Sequence, residues 1–112
     1  MKNDAFSMTL LFDYYGELLT DKQKTYFDLY YNQDFSLAEI AEEEGISRQG
    51  VHDTLVRTEA ALRNFEEKTG MVARALERKA ALSIIRDAAG KVAAHDETLS
   101  RVILDALDTM KE

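Results

Sequence analysis

A chain of 112 residues is long enough for one domain with a modest core, and 46% apolar with 31% charged residues is typical of a soluble globular protein. The chain has no cysteine, which excludes disulfides and thiolate metal sites. No run of about 18 apolar residues occurs, which excludes a membrane-spanning helix. Because proline is absent and glycine occurs only five times, few residues interrupt helices. We expect an all-α protein in the cytoplasm, without a signal peptide.

The net charge of −7 is unevenly distributed along the chain. Residues 1–35 carry 3 basic and 6 acidic side chains, residues 36–70 carry 4 and 8, and residues 71–112 carry 7 and 7. Proteins that hold nucleic acid usually concentrate basic residues on the binding segment. The charge pattern therefore argues against strong non-specific binding of nucleic acid by the first 70 residues.

Two aromatic-rich helices are predicted at the start of the chain, over residues 6–19 and 21–32. Thr20 suits the N-cap of the second helix. The first helix carries two apolar stripes at helical spacing: Leu10, Tyr14 and Leu18 on one, and Leu11, Tyr15 and Leu19 on the other. A helix that is apolar on two sides must be buried on more than one side. In a chain this short, part of that burial is expected from a second subunit, so we predict a homodimer.

The segment "SLAEIAEEEGISRQGVHDTLVR", residues 36–57, has the spacing of a helix-turn-helix. Ala41 is a small residue where two helices can cross closely, and Gly45 follows where the turn needs a left-handed residue. Ser47 then suits the N-cap of a second helix. Val51 and Leu55 give that helix its buried face. The pattern predicts a short helix over residues 37–44, with Ser36 as its N-cap, followed by a tight turn and a longer helix.

The rest of the chain reads as helix. Lys68 and Gly70 are typical of a helix end, although the apolar stripe also allows one long helix that contains Gly70. A further helix is predicted over residues 71–89, with a break at Gly90, and a last helix over residues 96–110. We therefore divide the chain into a helix-turn-helix domain, residues 1–70, and a helical extension, residues 71–112.

The segment "LTDKQKTYFDLYYNQDFSLAEIAEEEGIS", residues 19–47, resembles the promoter-reading fourth region of bacterial sigma factors. The first 70 residues together resemble the YlxM-like family of small bacterial proteins, through "LFDYYGELLTDKQKTYFDLYY", residues 11–31, through residues 36–62, and through "EKTG", residues 67–70. The resemblance implies a helix-turn-helix of the sigma-region-four or winged-helix-like DNA-binding type, without a wing. It further implies a non-enzymatic regulatory protein that is linked to the signal recognition particle pathway.

If the motif reads double-stranded DNA, its second helix enters the major groove with its N-terminal side chains on the bases. The candidate DNA-binding residues are Ser47, Arg48, Gln49, His52, Asp53 and Arg57. Arginine can pair with guanine and glutamine with adenine, each through two hydrogen bonds. Ser47 can offer its hydroxyl or the helix N-terminus to a phosphate, and Arg57 can contact a phosphate further along.

A second reading keeps the fold but replaces DNA with a protein partner, such as the signal recognition particle GTPase, or with the particle RNA. The run Glu42-Glu43-Glu44 favours the protein partner, because an acidic surface complements a basic protein surface, whereas RNA meets the same electrostatic objection as DNA. An enzyme is disfavoured, since the chain has no glycine-rich phosphate loop, nucleophile constellation or metal-ligand spacing. We expect no cofactor and no metal.

Overall fold

The structure, a computed structural model, describes residues 4–110. This part of the chain forms six α-helices and no β-strand. The helices are α1 (Ala5–Tyr15), α2 (Asp21–Phe27), α3 (Leu37–Glu44), α4 (Arg48–Thr69), α5 (Met71–Val92) and α6 (Glu97–Asp108). The predicted all-α class is therefore confirmed. None of the described helices has the length and apolar character needed to cross a membrane. The helices belong to two compact units, residues 1–72 and residues 73–112.

Side-chain caps explain why most helices begin where they do. Thr20 and Ser36 each form a capping box with the residue three positions later, Gln23 and Glu39. The N-cap hydroxyl accepts from the backbone N–H of that residue, and the side chain of that residue accepts from the N-cap N–H. The Asp4 carboxylate accepts from both the N–H and the hydroxyl of Ser7. Ser47 and Asp96 each accept one hydrogen bond, from the N–H of Gly50 and of Leu99. The predicted caps at Thr20, Ser36 and Ser47 are confirmed.

Several predicted helix boundaries are wrong. The α-helical part of α1 ends at Tyr15 instead of residue 19, because a 3₁₀ turn over Gly16–Leu18 leads into the extended residue Leu19. The second helix does reach residue 32, but its last turn, Asp28–Asn32, is a π-helix. α6 ends at Asp108 and not at residue 110.

The two interior glycines of the C-terminal half behave differently from each other. Gly70 adopts a left-handed conformation, with φ of 63°, and ends α4. The alternative of one long helix through Gly70 is therefore wrong. The predicted break at Gly90 is also wrong, since α5 continues to Val92. One glycine inside a helix costs only about 1 kcal/mol, which the neighbouring turns of a 22-residue helix can offset.

Two buried clusters hold residues 1–72 together, and α4 contributes to both. The first contains Met8, Leu11, Tyr15, Leu19, Phe27, Tyr31, Leu62 and Val72. The second contains Tyr26, Leu29, Ile40, Ala41, Val51 and Leu55. Of the two stripes predicted on the first helix, only the one with Leu11, Tyr15 and Leu19 is fully buried. Tyr14 and Leu18 on the other stripe are exposed, and the homodimer stays a prediction.

Two tyrosine–glutamate contacts cross the first cluster. The Tyr31 hydroxyl donates to Glu59 Oε2, and both residues are buried. The Tyr15 hydroxyl donates to Glu66 Oε1 at 2.5 Å, and the same carboxylate oxygen accepts from the Val72 backbone N–H at 3.0 Å. These bonds fix α1, the end of α2 and the start of α5 against the middle and end of α4.

Gly45 and Gly90 offer a matched test of the turn. Gly45 has φ of 71° with nothing near an added Cβ, and Gly90 lies in helical backbone, also with open space. We expect Gly45→Ala to lower the free energy of unfolding by about 1–2 kcal/mol, because L-residues disfavour the left-handed region. Gly90→Ala should instead stabilise α5 by about 0.5–1 kcal/mol. Thermal unfolding by circular dichroism measures both, and equal shifts would contradict the conformational explanation.

Candidate nucleic-acid interface

The turn between α3 and α4 is built from three residues with separate roles. Gly45 is left-handed, with φ of 71° and ψ of 31°, and its N–H donates to Ala41 O. The N–H of Ile46 donates to the same carbonyl at 3.1 Å, so the end of α3 is closed by two bonds. Ser47 is extended, and its hydroxyl oxygen accepts from the Gly50 N–H at 3.0 Å. The predicted helix-turn-helix is confirmed.

The two helices of the motif cross through small and branched side chains. Ala41 and Ile40 on α3 pack with Val51 and Leu55 on α4, and Tyr26 closes the cluster from α2. An added Cβ at Gly50 would stand 3.2 Å from Ser47 Oγ and 3.4 Å from Ile46 Cδ1. A side chain at position 50 would therefore crowd the cap. The packing of its buried residues sets the rotation of α4 about its own axis. It therefore also sets which side chains of α4 face the solvent.

An open cleft of about 610 Å³ lies where α3 and α4 begin. It is lined by Leu37, Ser47, Arg48, Gln49 and His52. The structure thus brings together four of the six candidate residues around the N-terminus of α4, where backbone N–H groups favour an anion. Arg48, Gln49 and His52 are exposed. Their polar groups are therefore accessible from the solvent side of the motif.

Asp53 stands beside this cleft and contacts two of its side chains. Gln49 Nε2 donates to Asp53 Oδ1 at 2.8 Å, and His52 Nδ1 lies 3.6 Å from the same oxygen. In this arrangement Asp53 orients the Gln49 amide and holds the imidazole near it. Any group that bonds to the Gln49 amide nitrogen must compete with that hydrogen bond.

Arg57 lies apart from the other candidates. It follows Arg48 by nine residues, and at about 100° per residue it points to the opposite side of the helix. The structure also adds two apolar residues that the spacing argument missed. Leu37 is partly buried against the second cluster and also lines the cleft. Val56 is 48% exposed one turn after His52, outside the phase of the buried Val51 and Leu55.

The acidic run of α3 faces a different cleft. Glu39, Glu42 and Glu43 line a separate opening of about 530 Å³ together with Phe35. Glu44 is exposed, and its charge adds to burial in raising the pKa of the Tyr26 phenol. Among the described residues, no glutamate of the run lines the cleft of Arg48 and Gln49. The carboxylates lie on a neighbouring surface. Their negative charge therefore affects the surroundings of the cleft, but none of them stands beside Arg48 and Gln49.

Residues 4–110 contain no group of three or more histidine, aspartate or glutamate side chains placed to hold a metal ion. The polar side chains that line the cleft are Ser47, Arg48, Gln49 and His52, all of which are exposed and capable of hydrogen bonding.

Comparison with known proteins places these features in a family. Residues 2–102 match the family model UPF0122, described as "Putative helix-turn-helix protein, YlxM / p13 like". A UPF0122 protein of Halalkalibacterium halodurans is 43% identical over 111 residues, which is 99% of this chain and 100% of the relative. The UPF0122 protein YlxM of Bacillus subtilis is 43% identical over 103 residues, 92% of each chain. A UPF0122 protein of Thermoanaerobacter sp. is 58% identical over 74 residues, 66% of this chain and 63% of the relative.

Proposed function

Because the chain belongs to the UPF0122 family of helix-turn-helix proteins, we propose that it is a cytoplasmic regulatory protein that binds double-stranded DNA through the first turns of α4. The observation that carries the proposal is the cleft at the start of α4, where Arg48, Gln49 and His52 are exposed around a capped helix N-terminus. A helix-turn-helix presents this part of its second helix to the major groove. No cofactor and no catalytic step are part of the proposal.

Base recognition would fall to the side chains that share the exposed face of α4. Arg48 can donate two hydrogen bonds to guanine, and Gln49 can pair with adenine once it releases Asp53. The exposed Val56 can contact a thymine methyl group. The proposed face therefore combines polar and apolar recognition within three turns of helix.

Phosphate contacts would come mainly from helix termini. Ser47 uses its oxygen to cap α4, but its hydroxyl proton can still be donated to a phosphate. Ser36 caps α3 in the same way, and the beginning of α3 borders the cleft through Leu37. Arg57 would reach a backbone only from a different side of α4. With few cations on this surface, we expect weak non-specific binding and a small salt dependence. In a plot of the logarithm of the binding constant against the logarithm of the salt concentration, the slope changes by about one unit per neutralised phosphate.

A titration of the purified chain tests the proposal. The ligands are duplexes selected from a random-sequence pool, at two salt concentrations. We expect Arg48→Ala to weaken binding about tenfold or more, since a lost bidentate contact is worth about 1–3 kcal/mol. Asp53→Asn should tighten binding, because it removes a negative charge beside Gln49. Arg78→Ala, the same charge change on α5, is the matched control and should have a small effect.

The same titration contains the outcomes that decide against DNA. The proposal is abandoned if no duplex is bound at low salt, or if Arg48→Ala and Arg78→Ala weaken binding equally. The second candidate function is a protein-interaction module, favoured by the exposed carboxylates around Phe35. The resemblance to YlxM-like proteins nominates the signal recognition particle GTPase, or its RNA, as the ligand for that arm. Protein binding that is lost in Glu42→Lys but kept in Arg48→Ala supports the second candidate.

A further inference from the structure

Residues 73–110 form a two-helix hairpin with a defined contact line. The buried Ser100 hydroxyl donates to Ala89 O at 2.6 Å, which ties α6 to α5 near the connecting turn. Further along, Arg86 Nη1 donates to Asp108 Oδ1 at 3.1 Å. Residue numbers rise along one helix as they fall along the other, so α5 and α6 are antiparallel. The Arg86–Asp108 ion pair marks one edge of the hairpin.

The opposite edge and the face beside it are apolar. At about 100° per residue, Ile85 lies on the other side of the contact line from Arg86, flanked one turn away by alanines. On α6 the same side carries Leu99, Val102 and Ala106, at spacings of three and four, and Met110 follows just after the helix ends. Exposed fractions are 45% for Ile85, 49% for Leu99, 60% for Val102 and 48% for Met110. The hairpin therefore has one apolar face and one charged face.

Two helices alone cannot bury this face. Within the described part of the unit only Ala89, Ser100 and Leu107 are buried, and units of about 40 residues usually need association or another reinforcement to be stable. Four antiparallel helices enclose a core that two cannot. The missing two helices are most simply supplied by a second hairpin of the same kind.

The distribution of charge indicates that a second copy supplies them. Residues 71–112 carry 7 basic and 7 acidic side chains, so two copies can meet here without the repulsion expected between the acidic residues 1–70. α5 carries five basic and two acidic residues, and α6 carries three acidic and one basic. A two-fold axis parallel to the helices places α5 of each copy against α6 of the other. Opposite charges then flank the apolar face on both sides.

We propose that the apolar face of the α5–α6 hairpin, formed by Ile85, Leu99, Val102, Ala106 and Met110, binds the same face of a second copy. The product is a homodimer held by a four-helix bundle. Such an interface is self-complementary, as two-fold symmetry requires. Each dimer then carries two helix-turn-helix motifs, one from each copy. It does not depend on DNA being their ligand, so this inference and the proposed function can fail separately.

Sedimentation equilibrium of the full-length chain over a wide concentration range tests the dimer. Leu76 and Ile85 form a matched pair on α5, with exposures of 49% and 45%, and nine residues place them on opposite sides of the helix. We expect the parent chain to be dimeric. Ile85→Glu should raise its dissociation constant about tenfold or more, because the interface would then bury an unpaired charge. Leu76→Glu should leave the constant nearly unchanged.

Cross-linking provides a second measurement that does not disturb the apolar face with a charge. Because the parent chain has no cysteine, a single thiol can be placed at will. Because α5 lies against α6 of the other copy, we expect a mixture of Ile85→Cys and Ala106→Cys chains to form a covalent dimer with a short bismaleimide, and a mixture of Leu76→Cys and Ala106→Cys chains to form none. A monomeric parent chain overturns the proposal. So does a Leu76→Glu variant that dissociates as much as Ile85→Glu, or cross-linking of Ala106→Cys with Leu76→Cys equal to that with Ile85→Cys.

Discussion

Replacing Phe27 with alanine is expected to lower the free energy of unfolding of residues 1–72 by about 3–5 kcal/mol, the usual cost of emptying a buried phenylalanine site. Phe27 has no exposed surface. Its ring stacks on Phe12 at 4.4 Å between centroids, with an interplanar angle of 9°. On the other side it stacks on Tyr31, also at 4.4 Å. Alanine would remove the centre of this three-ring stack, and small domains have only about 5–15 kcal/mol to lose.

Denaturant titration followed by tyrosine fluorescence measures the loss. All five tyrosines lie between positions 14 and 31 and the chain has no tryptophan, so the signal reports on residues 1–72 and not on the C-terminal hairpin. Phe6→Ala is the matched control, since Phe6 is 75% exposed. It should change the midpoint little. A Phe27→Ala chain as stable as Phe6→Ala would contradict the assignment of Phe27 to the core.

Tyr31→Phe should lower the free energy of unfolding by about 1–3 kcal/mol, although it removes a single oxygen atom. Tyr31 and Glu59 are 9% and 7% exposed, and the tyrosine hydroxyl donates to Glu59 Oε2. Phenylalanine keeps the ring and its stacking on Phe27, so no large cavity forms. The cost comes from a buried carboxylate that loses a hydrogen bond which water cannot readily replace.

The control for this substitution removes the hydroxyl oxygen of a tyrosine on the surface. Tyr14 is 41% exposed, so Tyr14→Phe should be nearly neutral in the same titration. A double variant, Tyr31→Phe with Glu59→Gln, separates the pair from the ring. If the hydroxyl–carboxylate bond is the cause, the effects of the two single variants should not add. Additive effects would instead assign the loss to the individual environments.

Much of the fold follows from local rules that a sequence displays. Ser36, Gly45 and Ser47 act within four residues of themselves, through caps and a left-handed turn, and they were all predicted. The 3₁₀ turn after Tyr15 and the π-helical turn after Phe27 were not. Both turns lie between residues of the first cluster, Tyr15 and Leu19 around one and Phe27 and Tyr31 at the other, and such packing has no local signature.

Part of the candidate site could likewise be predicted from the sequence. The exposed start of α4 follows from the phase of Val51 and Leu55, which identifies Arg48, Gln49 and His52. Two features did not follow from the sequence. The hydrogen bond between Gln49 and Asp53 depends on rotamers. The separation of the acidic run from the cleft at the start of α4 depends on the angle between α3 and α4, which the tertiary packing sets.

The pairing of Tyr31 with Glu59 illustrates a further limit. The residues are 28 positions apart, and a glutamate in the middle of a helix is ordinarily read as solvent-exposed. Only the closeness of the second helix to α4 makes the carboxylate a buried acceptor. Contacts of this kind become evident once the helices are placed in space.

The position of α4 has a consequence for how residues 1–72 unfold. Leu62 belongs to the cluster under α1, whereas Val51 and Leu55 belong to the cluster under α3. One unbroken helix thus forms a wall of both clusters, and the adjacent Tyr26 and Phe27 on α2 divide between the same two. α2 and α4 thus each contribute to both clusters. Loss of either cluster removes buried contacts from these two helices, which also support the other cluster. We therefore expect the two clusters to lose their structure together, in a single cooperative transition, with the first turns of α4 ordered only as long as its far end is.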